Sequence, residues 1–119
     1  MNDINFLKAN GVETDETINS LGISTYNEVL EMFLSEINDK VNKLNECLAT
    51  KNMTDYATYV HGIKGEAHYL GFTKLVELAL DHQLRSQEGN FEYVNSKFNE
   101  LVQEIARVIK VSRIYLGKE

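Results

Sequence analysis

From Tyr26 to Leu48, apolar side chains recur at spacings of three and four: Tyr26, Val29, Leu30, Phe33, Leu34, Ile37, Val41, Leu44 and Leu48. A stripe held in one phase for about six turns specifies a long amphipathic helix. Such a helix is stable only where other elements cover its apolar side. The chain has no proline and only 7 glycines in 119 residues, with 43% hydrophobic residues. Because an interior proline costs a helix roughly 3 kcal/mol, that usage suits long uninterrupted helices. The expected class is all-α.

Three further segments supply partners for the stripe. Thr50-Lys51-Asn52 breaks the first pattern, and a second helix is expected from about Met53 to Leu70 or Gly71, with Met53, Tyr56, Val60, Ile63, Ala67 and Leu70 on its buried seam. Gly71-Phe72-Thr73 interrupts again, and Thr73 is read as the cap of a third helix with Leu75, Leu78, Ala79 and Leu84 as apolar positions, ending before Gly89. Asn90 caps the fourth, in which Phe91, Val94, Phe98, Leu101, Val102, Ile105, Val108, Ile109 and Ser112 share a face until Gly117. Thr25-x-x-Glu28 reads as a capping box opening the first long helix. Ahead of it, Asp3 to Asn10 forms a short helical piece ending at Gly11, and Thr14 with Asp15 and Glu16 starts another that stops at Gly22. Short loops make neighbours antiparallel, so the expectation is one domain over 1–119: an up-down four-helix bundle over about 25–116, with short N-terminal helices in 1–22 packed at one end.

Charge narrows the function. A net charge of −6 argues against a nucleic-acid binder and against an electrostatic hold on anionic lipid, since both rest on Lys and Arg. A protein partner is expected instead. The single cysteine, Cys47, can form no internal disulfide and falls within a helical pattern, which fits a reducing cytoplasm and an unreactive thiol. No apolar run approaches the ~20 residues that span a bilayer. The opening Met1-Asn2-Asp3-Ile4 is not the basic start of a signal peptide, so a soluble, unexported monomer is expected.

The chemistry concentrates in Val60-His61-Gly62-Ile63-Lys64-Gly65-Glu66-Ala67-His68-Tyr69-Leu70-Gly71. His61 lies about 100° round the helix from the seam residue Val60. Ala57, His61, Lys64, Gly65 and His68 share the neighbouring stripe, so the imidazole has a cation one turn away and a residue without a side chain beside that cation. A neutral imidazole attacks phosphorus with one ring nitrogen while the other donates a hydrogen bond. Lys64 is placed to neutralise the charged oxygens of the transferred group, and Gly65 clears the surface on which a partner closes. Gly62 is a second interior glycine that this scheme leaves without a role.

His61-x-x-Lys64-Gly65, with Gly71 closing the motif, resembles the H-x-x-K-G-x-x-x-x-x-G signature of histidine-containing phosphotransfer domains. The resemblance takes in Gly11-Val12-Glu13 leading to Leu21-Gly22, the long helix with Phe33, Asp55 ahead of the histidine, and Leu75 to Leu84 after it. It implies a bacterial two-component phosphorelay, in which His61 accepts a phosphoryl group from a receiver-domain aspartate and passes it to another receiver, with Lys64 and Gly65 supporting. It also implies response-regulator receivers and possibly a hybrid histidine kinase as partners, no cofactor in this chain, and Mg2+ on the receiver. Glu66 and His68 stand where small residues usually follow the glycine, and Asp81-His82 where a leucine-glutamate pair is common.

Plainer readings compete at each position. His61 alone would be an ordinary surface histidine; the lysine, the glycines and the helix pattern turn the balance toward phosphotransfer. Ala57 and His68 are taken as partner-binding, with His68 open to a local hydrogen bond. His82, among apolar neighbours, is expected to be packed. A metal site on His61 and His68 is disfavoured, because seven helical residues separate them by about 10.5 Å along the axis. Lys51 and Lys74 either steer an acidic receiver pocket or are ordinary surface lysines. There is no G-x-x-x-x-G-K-[ST] loop or other nucleotide motif, so the chain is expected to be a phosphocarrier and not an enzyme. The alternative from another class is a helical module that binds receivers without accepting phosphate.

Overall fold

The computed structural model describes residues 3–118. Six helices follow in order: α1 (Ile4–Ala9), α2 (Asp15–Leu21), α3 (Ile23–Thr50), α4 (Met53–Leu70), α5 (Thr73–Gln87) and α6 (Phe91–Leu116). No strand occurs among the described residues, and the chain is an all-α bundle. α3 packs on α4, α4 on α5, α5 on α6, and α6 returns to α3, which closes a four-helix ring with short connections.

The seam expected for α4 is buried at all six positions, from Met53 to Leu70. Tyr26, Leu30, Phe33, Ile37, Leu44 and Cys47 face it from α3. Two buried tyrosines end in hydrogen bonds, as an apolar ring carrying a hydroxyl requires. Tyr26 Oη donates to the Leu70 carbonyl at 2.7 Å, and Tyr115 Oη donates to Asn27 Oδ1 at 2.7 Å.

α1 and α2 cover the end of the bundle where α4 stops. Thr17 Oγ1 donates to the Tyr69 carbonyl at 2.6 Å, and Glu13 N–H donates to the Gly71 carbonyl at 2.8 Å. Arg107, held by the buried Glu104, reaches the Asn10 carbonyl at 3.1 Å. Gly71 is fixed by this packing. Its φ is +85°, and a Cβ there would stand 1.8 Å from the Glu13 carbonyl oxygen.

Two helix starts and one cap differ from their sequence reading. α3 begins at Ile23 and not with a Thr25 cap, because Gly22 at φ +85° ends α2 and opens α3 in one residue, leaving Thr25 inside the first turn. Phe72, paired with Val12 in an isolated bridge, takes the cap position of α5, so Thr73 is already helical. Thr14 holds the cap position of α2 but its side chain caps nothing, and its hydroxyl is buried without a partner. Asn90 does cap α6, accepting from Tyr93 N–H at 3.2 Å. In α5 the buried stripe is Leu75, Ala79, His82 and Ser86, while Leu84, expected inside, is exposed.

Candidate functional site

His61 sits mid-way along α4 with its ring in solvent. Its Nδ1 lies 3.0 Å from Gln83 Oε1 on α5. An amide oxygen only accepts, so Nδ1 is the donor in this contact, and in the neutral ring that arrangement puts the lone pair on Nε2. Nε2 is thereby turned away from Gln83, on the solvent side of the ring. Around it opens a cleft of about 510 Å³ lined by Thr54, Ala57, Thr58, Gln83, Ser86 and Gln87.

Lys64 follows one turn later, half-buried, and makes no hydrogen bond or ion pair among the described residues. Its ammonium is uncommitted. Gly65 and Gly62 are both exposed, and a Cβ on either would meet nothing within 4 Å. Nothing inside the molecule therefore demands glycine at Gly65. Glu66 turns away from His61 and pairs with Lys40 of α3.

The remaining candidates fall at different distances from this centre. Ala57 is buried and floors the cleft beside His61. His68 is exposed and lies outside that cleft, lining a separate hollow with Glu13, Thr17 and Tyr69 near α2. Lys51 caps α3 and packs over the Phe91 ring at 5.1 Å, and Lys74 is exposed at the start of α5. Cys47 is buried, and burial pushes its thiol pKa up, which keeps it protonated. Among the described residues no group of His, Cys, Asp and Glu side chains is arranged to hold a metal ion.

Gln83 is the site residue that the motif reading passed over. A signal for it existed: α4 and α5 are antiparallel across a two-residue turn, so residues about equally far from Gly71-Phe72 face each other, and His61 and Gln83 are such a pair.

Fold and site together define a helical bundle that presents the His61 imidazole to solvent mid-way along α4, with Nδ1 engaged by Gln83. The Hpt domain family model matches residues 28–110. The chain belongs to the Hpt domain family, whose general role is phosphotransfer in two-component systems. No curated protein and no solved structure matches the chain.

Proposed function

We infer that this chain is a cytoplasmic histidine phosphotransfer protein in which His61 accepts a phosphoryl group from a receiver's aspartyl phosphate and hands it to another receiver. The observation that supports this reading is the Gln83 contact on Nδ1, which in the neutral ring leaves Nε2 bare beside an open cleft. Nε2 attacks in line, the acyl phosphate P–O bond breaks as the N–P bond forms, and the receiver keeps its carboxylate. The Lys64 ammonium neutralises charge on the phosphoryl oxygens. The open surface at Gly65 lets the receiver approach, with Ala57 under the contact and His68 toward its edge.

Mg2+ and the other catalytic groups belong to the receiver, so the chain is a carrier and not an enzyme by itself. A hybrid histidine kinase is a natural donor upstream. The carrier works as a monomer, and a modest affinity suits a partner that must leave after each transfer. The test is to incubate the protein with a receiver charged with labelled phosphate. Acid-labile, base-stable label is expected on the wild type and none on His61→Gln, with the helical circular dichroism of the two alike. A folded His61→Gln protein that still takes up label would overturn the assignment.

A further inference from the structure

Only two side-chain hydrogen bonds cross from α4 to α5 among the described residues. One is the surface contact between His61 and Gln83. The other lies in the core: Tyr56 Oη and His82 Nδ1 are 2.8 Å apart, with 0% and 1% of the two residues exposed. The rings lie nearly parallel, their centroids 6.1 Å apart. His82 and Gln83 are consecutive in α5, and within the same helix buried Ser86 donates from Oγ to the Gln83 carbonyl at 2.9 Å.

These two bonds differ in what they can enforce. The His61–Gln83 contact is at the surface, where water is an alternative partner for the half-buried glutamine, so it alone fixes little. The apolar contacts between α4 and α5 resist separation but are non-directional. The buried pair has no water to replace it, and breaking it strands a donor and an acceptor in the core. It therefore specifies how far α5 can slide or turn against α4. Burial pushes the His82 pKa down and the Tyr56 pKa up, so both are neutral, and the hydroxyl donates to a bare Nδ1. Asp81 of the same helix, Glu100 of α6 and a hydrogen bond with the Lys97 backbone act on the ring in the opposite sense, and burial outweighs them.

We propose that His82 is a positioning residue for the transfer: bonded to Tyr56, it sets the α4–α5 register that holds Gln83 Oε1 on His61 Nδ1 and so keeps Nε2 free to attack. This rests on the phosphotransfer reading for its consequence, but the effect on the His61 ring stands apart from it. That effect is measurable with no receiver present.

The experiment is nitrogen NMR of the histidine rings at pH 7.5 in the folded full chain. In the wild type His61 is expected as the Nδ1–H tautomer, and Gln83→Leu defines the released ring, an exchanging mixture richer in Nε2–H. Tyr56→Phe, which keeps the packing and removes only the hydroxyl, is expected to move His61 toward the released signature, as is His82→Leu. His82→Asn, whose Oδ1 can stand at the place of Nδ1 and accept from Tyr56, is expected to restore it. Phosphoryl transfer is expected to fall about five-fold in Tyr56→Phe, the worth of one neutral hydrogen bond, and to recover in His82→Asn. A wild-type His61 signature in folded Tyr56→Phe overturns the proposal even if His82→Leu fails to fold, and so does an Asn variant no better than Leu. Wild-type protein that no receiver charges would instead sink the phosphotransfer reading and leave the positioning result readable.

Discussion

At the scale of single residues, His61, Lys64 and Gly65 make separable contributions. Lys64 has no partner in the free protein among the described residues, so its charge should matter when phosphate arrives and not for folding. Lys64→Ala is expected to slow transfer about ten-fold with an unchanged melting temperature, because it removes a hydrogen bond to a charged group. A transfer rate equal to wild type would show the lysine to be ornamental. Gly65 sits in a helix where alanine is favoured by up to about 1 kcal/mol, and open space surrounds the missing Cβ. Gly65→Ala should therefore melt higher than wild type, while Gly65→Arg should fold and yet lose transfer through obstruction of the partner. If Gly65→Arg transfers normally, the cleared surface is not what the glycine provides. Nothing in the structure explains why Gly62 is glycine.

At the scale of helices, the second glycine of the motif has a different purpose. Gly71 bears the contact with Glu13 that joins the N-terminal segment to the end of α4. Gly71→Ala is expected to cost at least about 2 kcal/mol by denaturant melting, through its positive φ and the backbone overlap. A loss below about 0.5 kcal/mol would mean the N-terminal segment is not held there. The long helices and the α4 seam were legible in the sequence because apolar spacing is set by burial over many turns, which no single residue can mask. Helix starts were less so. Thr25 and Thr73 have the chemistry of caps, but Gly22 and the Val12–Phe72 bridge had already determined where those helices begin. Leu84 fits an apolar pattern and lies in solvent, whereas His82 and Ser86 hold the buried stripe of α5. Of the candidate site, His61, Lys64 and Gly65 are candidates that a contiguous motif singles out. Gln83 is not among them, since its role exists only once α5 lies antiparallel against α4.

At the scale of the whole molecule, the buried His82 couples folding to pH. Burial holds its folded pKa below the ordinary value of 6.5. The unfolded chain then takes up a proton near pH 6.5, while the folded chain does so only at lower pH, so stability rises with pH across that window. The contribution is complete above about pH 6.5 and is lost as pH falls from there through the folded pKa. Thermal melts of wild type should accordingly drop between about pH 7 and 5.5 more steeply than those of His82→Asn. Equal slopes would mean the ring titrates alike in both states. The bundle that buries this histidine also exposes another on the same pair of helices, and the phosphotransfer account depends on which nitrogen of that second ring is free. The most direct test is phosphorus and nitrogen NMR of the protein charged by a receiver, which distinguishes the two phosphohistidine isomers. The account predicts a single phosphohistidine on His61 with phosphorus bonded to Nε2. Phosphorus on Nδ1, or on any residue other than His61, would contradict it.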